Sequence, residues 1–168
     1  MKKTIAAVVC AAAAALSVQV HAEDAKVLRM ACESTYAPFV FFDSETGKLK
    51  GFEIDLLEYV AKEMGRKLEV TNMGFDAIIP SMLTGITDVG ASAFTITPER
   101  AKRVLFSKPY YISGLSILVR AEDKDKIKSV KDIENCTICA QIGTSGSMRA
   151  AKVPGAKVRN FNTVNDAY

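Results

Sequence analysis

Tryptophan is absent from the 168 residues, and histidine occurs once, at position 21. That histidine lies in a leader-like stretch. Lys2 and Lys3 precede an apolar run from Ile5 to Leu16 and a cleavage-like Val20-His21-Ala22. The pattern reads as a secretory signal peptide removed after Ala22, which leaves no histidine in the mature chain. Its apolar run is shorter than the roughly 20 residues of a membrane-spanning helix. Without histidine the mature chain has no Ser-His or Cys-His nucleophile pair, no histidine general base and no histidine-ligated metal. Nothing in it points to a metal or a cofactor. An excess of one charge is also lacking. The chain has 22 Lys and Arg against 19 Asp and Glu, and losing Lys2 and Lys3 lowers the formal balance from +3 to +1. No electrostatic footprint for nucleic acid remains.

Cysteine is scarce. Of the four, Cys10 leaves with the leader and is not read as a lipid anchor, because too short an apolar run precedes it. Cys32, Cys136 and Cys139 remain, an odd number for a compartment that favours disulfides. Cys136-Thr137-Ile138-Cys139 has redox-motif spacing, yet residues 137–142 read as a strand. A redox pair normally opens a helix whose N-terminus lowers the thiol pKa. The expectation is buried, small apolar cysteines, with their pairing left open.

The length suits one domain, or one and a part. A strand over 26–32 leads to a loop and then a hairpin whose turn is 44–48. Ile54, Leu57, Ala61 and Met64 repeat at helical spacing up to Gly65. A strand over 67–71 precedes a helix capped by Asp76 that stops at Gly85. Strands are expected over 87–93 and 115–120, and between them Thr97-Pro98-Glu99 marks a helix start. A charged connection over 121–131 leads to a second series: a short helix at 130–133, a strand over 137–142, a helix opening at 143–147, a strand over 157–161 and a last helical turn. Strands alternating with helices give an α/β fold with a largely parallel sheet.

The stretch Ala93-Phe94-Thr95-Ile96-Thr97-Pro98-Glu99-Arg100 is the most informative. A strand end runs into a helix start, so free backbone N–H groups converge with the positive end of a helix dipole. Helical side chains lean toward the N-terminus, so the Arg100 guanidinium can meet a carboxylate there. The alternative is an exposed arginine on a charged helix beside Lys102 and Arg103. Gly143-Thr144-Ser145-Gly146-Ser147 forms a second helix start rich in hydroxyls, and it lacks the Gly-Lys-Ser/Thr of a P-loop. Tyr36 and Phe75 fall where an aromatic lines either a cleft or the core.

Several blocks occur together in order: Thr35-Tyr36-Ala37-Pro38-Phe39, Gly51-Phe52-Glu53-Ile54-Asp55-Leu56, Phe75-Asp76-Ala77-Ile78-Ile79-Pro80, Thr95-Ile96-Thr97-Pro98-Glu99-Arg100, Phe106-Ser107-Lys108-Pro109-Tyr110-Tyr111 and Gly143-Thr144. With them the mature chain resembles the periplasmic amino-acid-binding proteins of ABC transporters, the family 3 solute-binding proteins. The resemblance implies a two-lobed clamp of the type II periplasmic binding fold. Residues 1–22 would be the signal peptide, 23–118 the first lobe, and 119–168 the crossover strand end and an incomplete second lobe. It implies a monomer that captures an amino acid and delivers it to a membrane permease. By position, Arg100 would hold the ligand α-carboxylate with Thr95, and the Ala93 carbonyl would accept from the ammonium. Tyr36 and Phe75 would pack on the aliphatic part, Thr144 and Ser145 would close from the second lobe, and Gln141 would meet the ligand side chain. Family members continue well beyond the position of Tyr168 and there supply an acid for the ammonium. Leaving an ammonium partly unpaired costs about 2–5 kcal/mol, so the chain alone is expected to bind amino acids poorly.

Two other readings follow from the same blocks. Related periplasmic proteins are dehydratases of cyclohexadienyl acids such as arogenate, and Glu33, near Tyr36, is the visible acid for proton transfer. A sensor domain of a larger signalling or cell-wall protein is the third. Ligand identity is not legible; the uncharged Gln141 suggests a polar or broad site.

Overall fold

The computed structural model describes residues 26–168; the leader, with Cys10 and the expected cleavage after Ala22, lies outside the described residues. Strand β1 (Val27–Cys32) is the centre of a three-stranded parallel sheet, between β5 (Lys67–Asn72) and β6 (Val89–Gly90). Alternation along β1 divides its side chains between two faces. Leu28, Met30 and Cys32 pack with Ile54, Leu57 and Ala61 of helix α1 (Phe52–Glu63). Ala31 turns the other way and packs with Phe75 and Ile78 of α2 (Phe75–Leu83). Met30 and Ile78 have no exposed surface, and burying a side chain of that size stabilises the fold by about 1.5–3 kcal/mol.

Helix α1 forms where the spacing predicts it. Glu53 and Asp55 sit at its positive end, and Gly65, at φ 67°, lets the chain leave it. Met64, expected on the buried stripe, instead caps the helix and is exposed. The predicted hairpin is a small antiparallel sheet of β2 (Thr35–Tyr36), β3 (Val40–Phe42) and β4 (Leu49–Lys50). A second α/β unit pairs β7 (Thr137–Gln141) in parallel with β8 (Lys157–Phe161), joined through α4 (Ser145–Ala150) and followed by α5 (Val164–Ala167). The expected α/β architecture with mostly parallel sheets is therefore present. No helix among the described residues is long and apolar enough to cross a membrane.

Other expectations are corrected. Asp76 does not cap α2; Gly74 holds that position, and Asp76 lies in the first turn, where the helix dipole favours its charge. The strand expected over 87–93 is ladder-paired only at Val89–Gly90, because the chain turns away at Ala93, whose φ is 49°. Residues 115–120 form no strand. No described strand lies beside them, and an extended segment needs a neighbour to satisfy its backbone. Leu115 and Leu118 are exposed as a result.

All three described cysteines are free. Cys32 is buried as expected, and its thiol is pushed up to about 12 by that burial, with Glu33 and Glu53 adding to it. Cys139 is exposed and Cys136 half-buried, against expectation. Cys139 shares with Thr137 the face of β7 that stays open to solvent.

Candidate functional site

Helix α3 (Pro98–Ala101) begins as the sequence indicates. The Thr97 hydroxyl accepts the Arg100 N–H at 3.2 Å, and Pro98 takes the first helical position. The helix is a single turn, and Arg100 folds back toward Thr95. Arg100 is not the exposed arginine of the alternative reading: the residue is 6% exposed. Its Nη1 donates to the Thr95 carbonyl at 2.8 Å and its Nη2 to the Gly143 carbonyl at 2.9 Å. The guanidinium carbon lies 5.4 Å from the Phe75 ring centre and 5.1 Å from that of Phe94, and the two rings stack at 4.4 Å. Burial lowers the pKa of Arg100, although a guanidinium remains charged in proteins. No carboxylate pairs with it among the described residues. A cleft of 220 Å³ opens beside it, lined by Phe75, Phe94, Gly143 and Met148 among others.

The second α/β unit reaches this point through the turn between β7 and α4. Gly143, at φ 74°, presses on the first turn of α2: a Cβ there would stand 2.9 Å from the Asp76 Cβ. The Ser145 hydroxyl lies 3.0 Å from that of Thr95. The Thr144 hydroxyl is committed to capping α4, accepting from the Ser147 N–H and donating to the Gln141 carbonyl. Gln141 is buried and points elsewhere. Its Nε2 donates to Glu33 Oε2 at 3.2 Å and to the Asn162 carbonyl at 3.0 Å. Glu33, also buried, accepts in addition from the Thr35 N–H and hydroxyl. A second cleft, of 300 Å³, opens at Glu33 among Asn72, Met73, Gly74, Asn162 and Thr163.

The structure thus brings Phe75, Thr95, Arg100 and Ser145 together, and sets Gln141 against Glu33. Tyr36 is exposed, stacks on Phe39 and lines neither cleft. Two residues escaped the sequence reading as site components. Phe94 completes the aromatic pair under Arg100. Glu53 is wholly buried; both its oxygens accept the Ala93 N–H, at 2.9 and 3.1 Å, and Oε1 also accepts the Tyr110 hydroxyl. The signal for Glu53 was available, because it precedes Leu57 by four residues and Ala61 by eight, which puts it on the buried stripe of α1.

Burial pushes the Glu53 carboxyl above its ordinary range, against the lowering pull of Tyr110 and the Ala93 N–H. A carboxyl raised in the folded state contributes most below its unfolded pKa, about 4.3, and loses that contribution as pH rises through the folded value. Glu53→Gln stays neutral throughout. Its Tm is therefore expected to gain on wild type as pH is raised from about 4 to about 7. Thermal unfolding across that range measures the gap; a gap that stays constant contradicts the assignment.

Comparison with known proteins gives consistent matches. Residues 28–167 match the model of the bacterial extracellular solute-binding proteins, family 3. Over 140 residues the chain is 33% identical to a probable histidine-binding protein of Campylobacter jejuni, covering 83% of this chain and 54% of that one. An ancestral arginine-binding protein bound to arginine superposes with a TM-score of 0.80 at 41% identity, covering 84% of this chain and 63% of its own. The ancestral amino acid-binding protein AncCDT-1, a precursor of cyclohexadienyl dehydratase, does so with a TM-score of 0.78 at 43% identity, with the same coverage. The chain spans about half the length of the curated relatives it matches. With 140 consecutive residues matched and the α/β architecture shared, the chain belongs to the bacterial extracellular solute-binding proteins, family 3.

Proposed function

We propose that this chain is the amino-acid-capturing part of an ABC transporter's periplasmic solute-binding protein, secreted with cleavage after Ala22 and handing its ligand to a membrane permease. It acts as a monomeric binder and not as an enzyme. One lobe runs to about residue 118 and the second begins at 119. One observation carries the reading: Arg100 is a buried cation with no carboxylate partner among the described residues, set against a stacked pair of aromatic rings where the two α/β units meet. A buried charge of that kind is costly unless something negative joins it. Two of its five N–H groups go to backbone carbonyls, and a ligand α-carboxylate binds the guanidinium in place of the Gly143 carbonyl, with the Thr95 N–H and hydroxyl. The Ala93 carbonyl receives the ammonium. Phe75 bounds the aliphatic part, and Ser145 closes over the carboxylate on the turn that Thr144 caps.

Glu33 beside Gln141 shifts the ligand class from merely polar toward a cationic side chain, in keeping with the arginine-binding and histidine-binding names of the relatives. The dehydratase reading has less support, because Glu33 already accepts from Thr35 and Gln141 and is poorly placed to deliver a proton.

The test is a heteronuclear NMR titration of the isotope-labelled chain with L-arginine, L-glutamine and agmatine, which lacks the carboxylate. L-arginine is expected to shift the Thr95, Arg100 and Ser145 resonances and agmatine to leave them; equal binding of both sinks the carboxylate site. Glu33→Gln is expected to weaken L-arginine binding by about tenfold or more, the worth of a charge-assisted hydrogen bond, and to leave L-glutamine within about threefold. Equal losses for the two ligands would remove Glu33 from the side-chain site.

A further inference from the structure

Glu53 is the largest buried polar side chain that amino-acid capture, as set out above, leaves unused. Its place is determined from several directions. Gly51, at φ 131°, lets the chain enter α1 hard against the hairpin, and the Glu53 N–H donates to the Phe39 carbonyl at 3.1 Å. From there the side chain reaches across to the turn that follows β6, where both carboxylate oxygens take the Ala93 N–H. Ala93 is one of two non-glycine residues among those described with a positive φ. That conformation costs an L-residue energy and persists only where the surroundings hold it. The neighbours are held as well. The Ser92 hydroxyl accepts the Glu33 N–H and donates to the Glu33 carbonyl, and Phe94 is stacked on Phe75. The Ala93 carbonyl itself accepts no hydrogen bond among the described residues.

We propose that Glu53 is a positioning residue: by gripping the Ala93 N–H it holds the left-handed turn that aims the Ala93 carbonyl at the ligand's α-ammonium. The Tyr110 hydroxyl donates to Oε1 of the same carboxylate and so joins its own segment to this turn. The proposal rests on the amino-acid reading above and adds to it a residue that touches no ligand. A purely structural carboxylate would act on every ligand alike. A positioning carboxylate acts on the ammonium alone.

The experiment compares L-arginine with 5-guanidinopentanoate, which keeps the carboxylate and guanidine and lacks the α-ammonium, on the full chain by NMR. In wild type, the Ala93 amide is expected to show slow hydrogen exchange and a scalar coupling across its hydrogen bond to the Glu53 carboxyl carbon. Glu53→Ala is expected to weaken L-arginine about tenfold and 5-guanidinopentanoate less than threefold. Glu53→Gln keeps one acceptor for the Ala93 N–H and is expected to restore L-arginine to within about threefold of wild type. Equal loss of both ligands, no loss of either, or no rescue by glutamine overturns the proposal. If Glu53→Ala does not fold, the wild-type coupling and the glutamine variant decide it: a missing coupling, or a rapidly exchanging Ala93 amide, overturns it. Failure of wild type to bind either ligand even at concentrations that reveal weak binding, with the coupling intact, overturns the amino-acid reading itself. Loss of the coupling with L-arginine binding intact overturns only the role of Glu53.

Discussion

Arg100→Ala is expected to weaken L-arginine binding by about thirtyfold or more, while the chain stays folded. Truncating one partner of a buried, hydrogen-bonded charge pair costs about 2–5 kcal/mol, and each 1.4 kcal/mol is about tenfold in affinity. The fold has less to lose. The arginine gives two hydrogen bonds to backbone carbonyls and rests against two rings that also stack on each other, so the core of β1 against α1 does not include it. Arg100→Lys separates charge from shape: lysine keeps the cation and lacks the planar fork, so an intermediate affinity is expected. The NMR titration described above measures both variants, with spectral dispersion as the check on folding. Wild-type affinity in Arg100→Ala would remove the carboxylate site from this place in the fold.

Gly51→Ala is expected to produce the largest loss of stability of any single methyl addition at a glycine of the first α/β unit. A Cβ at that position would stand 2.2 Å from the Phe39 carbonyl oxygen and 2.6 Å from its carbon, with φ at 131°. Backbone cannot swing aside as a long side chain does. Relief requires the first turn of α1 to move, which breaks the bonds from the Phe52 and Glu53 N–H groups to the Pro38 and Phe39 carbonyls. Overpacking and a disfavoured φ together cost about 3 kcal/mol or more, a fall in Tm on the order of 10 °C for a domain of this size. Gly65→Ala is the control. Gly65 also has positive φ, 67°, but nothing lies within 4 Å of the added carbon, so only the backbone preference is lost, about 1 kcal/mol. Thermal unfolding of the two variants compares them, and equal destabilisation would show that the close approach of Phe39 to Gly51 is not what matters.

Much of the fold was legible because it is locally encoded. The stripe of Ile54, Leu57 and Ala61, the Thr97-Pro98 start of α3 and the alternation in β1 each state their structure within a few residues. Residues 115–120 show the limit. Their apolar, β-branched character fits a strand, but a strand exists only beside a partner, and pairing is a property of the sheet as a whole. Cys139 misled for the same reason: which face of β7 is covered depends on what packs there.

The site divides in a similar way. The placement of Arg100 beside Thr95 was legible, because a cap, a proline and the backward lean of helical side chains aim it from within one segment. The link from Gln141 to Glu33 and the grip of Glu53 on Ala93 join residues 108 and 40 positions apart, and no local pattern announces them. Tyr36 matched by position, yet the structure stacks it on Phe39. A motif match identifies a position in the chain without reporting what the side chain touches.

The bond from Arg100 to the Gly143 carbonyl makes the protein's own backbone a competitor for the guanidinium. An incoming ligand has to outbid an amide oxygen already in place, and a neutral carbonyl offers nothing that the main chain lacks. An ionised carboxylate brings a full negative charge and forms hydrogen bonds about twice as strong as neutral ones. On the proposed reading of the site, free amino acids would therefore be told apart from their amides, their esters and the interior residues of peptides before any side chain is read.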